Sequence, residues 1–306
     1  PNKVFGDYIS TVLPELGEQP IRSFTIDELT ANLLPTAVTF TPFELETKAI
    51  LENPKSKLAN RAKVKADFAF VKAMQLFLTE LDTSLLKSES IQIAETEFIA
   101  DYLQGRFLQY RKEPVTIRLE LMADDIIAVL KAKWGRDGKL PSKGEIVKRL
   151  KKRLNYTSAF EIYKAFIEHY APGQIRFVKK NFEFNDVYPY LYVQIYFKGI
   201  KTYELVQHFV LDEMQDYTPI QYVVLSKIFE CKRTIVGDFS QALLPYETIS
   251  KKAFEHILPQ IEYVELTTTY RSSYEIAHYA KKFMKHGEIN PIARHGKEPE
   301  EIRYSS

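Results

Sequence analysis

The chain has 306 residues, of which 45% are hydrophobic and 27% are charged, with a formal net charge of +2. This composition excludes a disordered chain and predicts a globular protein of roughly two or three domains, while the net charge is too small to indicate nucleic-acid binding by itself. The single cysteine, Cys231, excludes an internal disulfide framework and favours a reducing compartment. No apolar run could span a membrane and no leader is visible, so we expect a cytoplasmic protein without membrane contacts.

Short apolar runs in residues 1–40 predict a helix, a strand and a second helix. Residues 8–13 form the expected first helix and residues 21–25 the expected strand. Thr25 is a candidate N-cap of the second helix, because acids follow it within one turn, where the helix dipole favours them. The chain opens at Pro1 inside a segment that has the pattern of a folded element, so we expect a fragment of a longer protein.

Residues 41–205 are predicted to be mainly helical. Residues 59–81 contain no Gly or Pro and place apolar side chains three and four positions apart, which predicts a helix through Phe70, Met74, Phe77 and Leu81. Residues 91–94 suggest one short strand before another helix near residues 98–107.

Two basic clusters lie in this region. Residues 139–153 contain seven Lys or Arg and one Glu on a predicted helix, and a second cluster consists of Lys55, Lys57, Arg61, Lys63 and Lys65. Each cluster is either a solvated amphipathic face or a contact for DNA or RNA phosphates or an acidic protein surface. Neither is interleaved with aromatic residues, so the clusters do not predict stacking on single strands.

Residues 206–306 alternate between strand and helix patterns, which predicts an α/β fold with a parallel sheet. The expected elements are residues 209–211, 220–229, 234–236, 253–257, 264–266 and 274–284. The continuous apolar run at residues 209–211 is typical of a strand that is covered on both faces.

Acids follow the first two of these strands. Asp212 and Glu213 come directly after residues 209–211, and Asp238 and Gln241 follow the next strand. The carboxyl ends of parallel strands share one edge, where ligands bind in open α/β sheets. The crowded acids are either a solvated turn or a site for Mg²⁺ and phosphate, in which Asp212 holds the cation and Glu213 activates a water.

The order and spacing of three stretches carry a resemblance to a known family. LDEMQD at residues 211–216, VGDFSQ at 236–241 and LTTTYRSSYEIAHYA at 266–280 resemble motifs II, III and IV of superfamily 1 helicases of the UvrD/Rep type. The resemblance implies a P-loop NTPase (RecA-like) sheet interrupted by a large helical insertion, with ATP and Mg²⁺ as cofactors.

The resemblance also implies roles for the acids and amides. Asp212 matches the Mg²⁺ ligand and Glu213 the general base, while Gln215 and Asp216 complete the same motif and link the nucleotide state to neighbouring motifs. Gln241 matches the glutamine that senses the γ-phosphate.

Two further residues match the family's nucleotide contacts. Tyr270 matches a tyrosine that stacks on adenine, and Arg271 an arginine that reaches the γ-phosphate, where a guanidinium stabilises developing charge. The competing interpretations are a core aromatic for Tyr270 and a surface salt bridge for Arg271.

The sequence departs from the family pattern at two motifs and lacks three others. Residues 242–246 lack the aromatic run that stacks on single-stranded DNA in the family, which puts strand translocation in doubt, and Thr269 replaces an Asn. No G-x-x-x-x-G-K-[ST] phosphate loop occurs, and residues 135–140 have the wrong spacing for one. Motifs V and VI are also absent, so we expect this chain alone not to hydrolyse ATP and to be a middle part of a longer motor.

The opening segment narrows the resemblance. It resembles motif Ia of the HelD-type, helicase IV-like branch at Phe5, Tyr8, Ile9, Val12, Leu13, Pro14, Leu16 and Gly17. Members of that branch bind core RNA polymerase and release it from nucleic acid with ATP. The implied division is residues 1–40 in domain 1A, 41–205 as domain 1B and insertion, 206–262 as the rest of 1A, and 263–306 as the start of 2A.

Three functions remain open from the sequence. The expected one is a part of an ATP-dependent motor that releases RNA polymerase. The alternative is an ATP-dependent 3′-to-5′ DNA helicase of repair or recombination, and the third is a scaffold that keeps the architecture for protein contacts only. The four matched residues Asp212, Glu213, Gln241 and Arg271 argue against the scaffold.

Overall fold

The computed structural model describes residues 22–135, 140–173, 177, 181–242, 244, 251–283 and 290–302. The helix expected at residues 8–13 and the whole motif Ia segment lie outside the described residues, as do 136–139 and 245–250. The described residues form a mixed α/β chain that is rich in helix and contains small parallel sheets. No helix among them is both long and apolar enough to cross a membrane.

Helices dominate the chain as far as residue 198. Their bounds are α1 Ile26–Leu33, α2 Phe43–Glu52, α3 Lys57–Ala66, α4 Phe68–Ser84, α5 Ala100–Gln109, α6 Val115–Trp134, α7 Lys143–Lys151, α8 Ala159–Tyr170 and α9 Phe184–Lys198. The strands here are β1 Thr39–Phe40, β2 Ile91–Ile93, β3 Thr96–Phe98 and β4 Asn181–Phe182. β1 pairs with β4 in parallel, and β2 pairs with β3 antiparallel.

Strands and helices alternate in the second part of the described chain. The elements are β5 His208–Leu211, α10 Pro219–Ile228, β6 Lys232–Ile235, α11 Lys251–Ile257, β7 Thr268–Thr269, α12 Tyr274–Ala280 and β8 Asn290–Pro291. β5 pairs with β6 in parallel, and β7 with β8 in parallel. The predicted α/β alternation with parallel strands is therefore confirmed.

The hydrogen bonds of Thr25 determine that a helix, not a strand, begins at this point of the chain. The Glu28 amide donates to Thr25 Oγ1 at 3.2 Å, and the Thr25 amide donates to Glu28 Oε2 at 2.8 Å. This capping box confirms Thr25 as the N-cap. Residues 22–25 form no strand, so the predicted strand is wrong for its described part. The Thr25 amide is already taken by Glu28 and cannot join a sheet ladder.

The helix expected over residues 59–81 is two helices. Asp67 has an extended backbone, with φ −74° and ψ 141°, and separates α3 from α4. Its carboxylate accepts a hydrogen bond from the Ala69 amide at 2.8 Å, so it is the N-cap of α4. The apolar spacing continues across Asp67 and predicted one helix. The capping bond of Asp67 starts a new helix there instead.

The single strand expected at residues 91–94 is a hairpin. Ala94 and Glu95 both have positive φ, 46° and 58°, as a two-residue hairpin turn requires, and β2 and β3 flank them. Phe98 therefore ends a strand instead of starting a helix, and α5 begins at Ala100. The prediction failed here because the turn residues are not the usual Asn or Gly.

Helix α9 lies at the centre of the core. Val187, Leu191 and Val193 are fully buried along it, and it packs against α3, α6, α8 and α10. Near its carboxyl end the Tyr196 hydroxyl donates to Asp82 Oδ1 at 2.6 Å. Burial and this acceptor raise the pKa of Tyr196, so the phenol stays neutral and remains a donor.

A buried ionic network holds the amino end of α9. Lys65 Nζ of α3 lies 2.5 Å from Asp186 Oδ1, and both side chains are almost fully buried. The Tyr163 hydroxyl donates to the same Asp186 oxygen at 2.6 Å, and Arg61 pairs with Glu183. Arg61 and Lys65 of the second basic cluster therefore stabilise the fold through ion pairs. For these two residues, neither the solvated face nor the contact for phosphates or an acidic protein surface is correct.

A carboxylate from α2 caps the same helix. Glu46 accepts hydrogen bonds from the amides of Phe184 and Asn185 at 2.6 and 3.1 Å. Amides at a helix start have no partner within the helix, so Glu46 supplies it from another element. Burial raises the pKa of Glu46, the hydrogen bonds opposing that rise in part.

Within the described ranges, the sheet formed by β5 and β6 is covered on one face and exposed on the other. Phe209 stacks on Phe229 with ring centroids 4.4 Å apart, and Leu211 is buried, whereas Val210 is 64% exposed. Among the described residues the expectation that both faces of β5 are covered is therefore wrong, because Phe229, which follows α10, packs on the face of Phe209, whereas Val210 on the other face is exposed. Residues 264–266 form no strand, and the nearest strand is β7.

We predict that Lys65→Met lowers the free energy of unfolding by about 3–5 kcal/mol, because it leaves Asp186 buried without its cation. Urea unfolding followed by circular dichroism measures the change. Lys63→Met is the matched control, since Lys63 is exposed on the same helix, and its effect should stay within about 0.5 kcal/mol. Equal losses in the two variants would contradict the role assigned to the network.

Candidate functional site

The turns that follow β5 and β6 lie side by side. The Val236 amide donates to the Leu211 carbonyl at 2.8 Å, and the Met214 amide donates to the Val236 carbonyl at 3.0 Å. These bonds extend the parallel pairing beyond both strands. The residues predicted to follow the two strands are therefore brought to one edge, as the parallel topology requires.

Glu213 has a left-handed backbone at this edge. Its φ is 53° and its ψ is 47°, and its amide donates to Asp212 Oδ1 at 2.9 Å. A residue with a Cβ in this region costs about 1–3 kcal/mol and persists where its surroundings impose it, often at a functional site. The turn continues as a short 3₁₀ helix, Met214–Asp216.

Gln215 joins the two turns through its buried side chain. Its Nε2 donates to Glu213 Oε2 at 2.7 Å, while its Oε1 accepts from the Asp238 amide at 3.0 Å. The side-chain amide therefore holds the Glu213 carboxylate and the β6 turn at the same time. A side-chain amide carries a donor and an acceptor on one planar end and can therefore make both bonds.

Gly237 allows the two turns to approach each other. A Cβ on this residue would lie 2.5 Å from Gln215 Oε1 and 2.6 Å from the Met214 amide nitrogen. Both distances are too short for a Cβ atom, so a residue with a side chain does not fit here. The sequence shows only a common Gly-Asp turn here, so this requirement was missed. A buried tyrosine was missed as well: the Tyr222 hydroxyl of α10 donates to the Met214 carbonyl at 2.6 Å.

Gln241 completes the arrangement from the β6 side. Its Nε2 donates to Asp238 Oδ2 at 2.8 Å, at the end of the 3₁₀ helix Phe239–Gln241. Asp216 is half-buried beside Tyr217. Burial raises the pKa of Tyr217 to about 12, and the charges of Asp216 and Asp212 add to the rise. The edge therefore carries a concentration of negative charge.

The predicted Mg²⁺ site depends on the carboxylates at this edge. The described ranges contain no group of three or more His, Cys, Asp and Glu side chains placed to hold a metal. Mg²⁺ commonly keeps several waters and takes one or two carboxylates together with phosphate oxygens. Asp212 is exposed at the strand end and can serve as such a carboxylate.

Tyr270 and Arg271 lie in the segment between β7 and α12. Tyr270 is 70% exposed, so it is not a core aromatic. Arg271 is exposed and, within the described part of the chain, makes no ion pair, so the salt-bridge interpretation is not observed either. No hydrogen bond between described residues joins either side chain to Glu213 or Gln241.

The first basic cluster, residues 139–153, divides into two groups. Lys143 pairs with Asp124 at 2.8 Å, and Arg149 and Arg153 donate to carbonyls of the hairpin segment at 3.0 and 2.9 Å. These three cations therefore hold α7 in place. Lys148, Lys151 and Lys152 are exposed and form no ion pair with any described residue.

No protein-family model matches the chain, and no curated protein matches it. The functional interpretation therefore depends on the motifs and on the geometry of the site.

We predict that Gly237→Ala lowers the free energy of unfolding by about 1–3 kcal/mol, because the new methyl group overlaps the Met214 amide. Gly144→Ala in α7 is the control, since nothing lies within 4 Å of its Cβ position and alanine favours a helix. Thermal unfolding of the two variants measures the difference. A Gly237→Ala protein as stable as Gly144→Ala would show that the two turns do not need this approach.

Proposed function

We propose that this chain contributes the hydrolytic half of an ATPase site in a RecA-like superfamily 1 motor. The main support is that the Gln215 side chain hydrogen-bonds both the Glu213 carboxylate and the Asp238 amide. These two residues lie in turns at the carboxyl ends of adjacent parallel strands. The LDEMQD and VGDFSQ stretches coincide with these turns. A solvated turn would not need a buried amide, a left-handed glutamate and an obligatory glycine together.

In this proposal Glu213 is the general base. Its carboxylate orients the attacking water and takes its proton, and Gln215 fixes one carboxylate oxygen so that the other faces the water. Asp212 would hold Mg²⁺, which neutralises charge on the phosphates when bound. Gln241 contacts the γ-phosphate from the second turn.

Tyr270 and Arg271 complete the proposed site from the other side of the nucleotide. Both side chains are exposed and Arg271 has no ion-pair partner among the described residues, so they remain available for adenine and the γ-phosphate. An arginine in this role contributes on the order of 10³–10⁵ in rate. The sequence has no phosphate loop, so that loop would be supplied by another part of a longer protein.

We propose further that the motor releases RNA polymerase from nucleic acid. The support is the HelD-like pattern of the opening segment and the large helical region, whose α9 core is well packed. The exposed lysines Lys148, Lys151 and Lys152 keep a DNA helicase as the second candidate, because they could follow a phosphate backbone.

We predict that Glu213→Gln abolishes ATP turnover, by about 10²–10⁴-fold, in a protein that joins this chain to its phosphate loop, because the amide cannot take a proton. Binding of ATP should persist, since Glu213 is assigned no contact with the ground-state nucleotide. Steady-state hydrolysis and nucleotide binding are measured side by side. Glu230→Gln, an exposed change beyond α10, serves as control. Unchanged hydrolysis in Glu213→Gln would refute the general-base assignment.

The choice between polymerase release and DNA unwinding is tested by binding. The chain is titrated against core RNA polymerase and against labelled single-stranded DNA, each at two salt concentrations. Polymerase release predicts saturable binding to polymerase that survives the higher salt. Salt-sensitive DNA binding without polymerase binding would favour the helicase. Lys148, Lys151 and Lys152 would then be the expected phosphate contacts.

A further inference from the structure

Met214, the residue after the left-handed Glu213, is hydrogen-bonded through both of its backbone polar groups. Its amide donates to the Val236 carbonyl at 3.0 Å, and its carbonyl accepts a bond from the Tyr222 hydroxyl at 2.6 Å. The Tyr217 amide also reaches this carbonyl, but over 3.4 Å. Met214 is therefore fixed from the β6 side and from α10 at once, and the Tyr222 hydroxyl makes the shorter of the two bonds to its carbonyl.

These bonds restrict the backbone of Glu213. The peptide group that joins Glu213 to Met214 is held at its amide by Val236, and its carbonyl accepts from the Asp216 amide at 3.0 Å. On the preceding side, the Glu213 amide donates to Asp212 Oδ1 at 2.9 Å. A residue with a side chain keeps a φ of 53° where its surroundings impose it. The bonds of Met214 supply part of this constraint.

The Tyr222 side chain is itself held in one orientation. It is 2% exposed, and its ring meets the ring of Phe254 on α11 edge to face, with centroids 5.0 Å apart and an angle of 86° between the planes. Burial is the main cause that raises the pKa of Tyr222, so the phenol stays protonated and remains a donor. Close packing of buried rings leaves the hydroxyl little freedom to move away from the Met214 carbonyl.

Packing alone does not require the Tyr222 hydroxyl. A phenylalanine would fill the same apolar space without the cost of burying a hydroxyl group. The hydroxyl is accommodated because it meets a backbone carbonyl one residue after Glu213. Its contribution is therefore to the geometry of the turn that carries the acids, in addition to the packing of α10.

We propose that Tyr222 is a positioning residue for Glu213. Its hydroxyl holds the Met214 peptide group, so that Glu213 keeps its left-handed backbone and presents its carboxylate to the attacking water. This catalytic role rests on the proposed function, in which Glu213 is the general base, whereas the holding of the turn does not. Because Phe254 packs on Tyr222, helix α11 also contributes to the position of the base.

Hydrogen–deuterium exchange of the whole chain tests the holding of the turn without ATP. Tyr222→Phe removes the shorter bond to the Met214 carbonyl and should speed amide exchange in residues 212–217 by roughly 5- to 150-fold, the factor for an unsatisfied buried carbonyl. Tyr188→Phe is the matched control, because it removes another buried hydroxyl, which shares a hydrogen bond with Thr30 Oγ1 at 3.2 Å. The control should leave these amides at the wild-type rate.

Turnover tests the catalytic role in a protein that joins this chain to its phosphate loop. Tyr222→Phe should lower kcat by about 10- to 100-fold and keep KM within about twofold, because the base is misplaced while the contacts to the bound nucleotide are unchanged. Tyr188→Phe should change neither constant. A merely structural tyrosine would lower stability and leave the kcat of the folded protein unchanged, so circular dichroism is recorded at the assay temperature.

Phe254→Leu keeps the test decisive if Tyr222→Phe does not fold. It removes the ring that packs edge to face on Tyr222 and keeps an apolar side chain, so it should speed exchange in residues 212–217 and lower kcat by about 2- to 10-fold each.

Wild-type exchange in residues 212–217 of both Tyr222→Phe and Phe254→Leu would overturn the positioning role. Unchanged kcat in both variants would also overturn it, in a protein in which Glu213→Gln abolishes turnover. If Glu213→Gln hydrolyses ATP normally, the proposed function fails, and faster exchange in Tyr222→Phe still supports the holding of the turn.

Discussion

The buried pair of Lys65 and Asp186 constrains most of the described structure. It fixes the amino end of α9, and Glu46 caps the same end from a third helix. Because α9 is the central helix and packs against α3, α6, α8 and α10, its position sets theirs. A buried ion pair contributes little net free energy, but a wrong arrangement would leave a charge without a partner, so the pair selects one packing over others.

Helix α10 connects α9 to the candidate site, because it packs against α9 and contacts the turn after β5. Tyr222 of α10 donates to the carbonyl of Met214, inside the turn that carries the acids. The Gln215 side chain then links this turn to the turn after β6 by accepting a hydrogen bond from the Asp238 amide. Gly237 has no Cβ and so leaves space for the Gln215 side chain. Glu213 is held in a strained conformation by this set of contacts, which is how a rigid scaffold supports a costly backbone geometry.

Similar charge patterns serve different purposes in different parts of the chain. Lys65 neutralises the buried Asp186 and Arg61 pairs with the partly buried Glu183, whereas Lys148, Lys151 and Lys152 remain exposed. A count of charges along the chain cannot separate these cases, because each depends on which acids the fold brings close.

Local sequence alone determined the helix cap at Thr25, the βαβ unit and the placement of Asp212 and Glu213 at a strand end, because each depends on neighbours within a few residues. Only tertiary structure decided the burial of Lys65, whose partner Asp186 is 121 positions away. It also decided the joining role of Gln215, which a motif implied but only the meeting of two distant turns could produce. The contacts that define the site act across the fold, and periodicity along a chain carries no information about them.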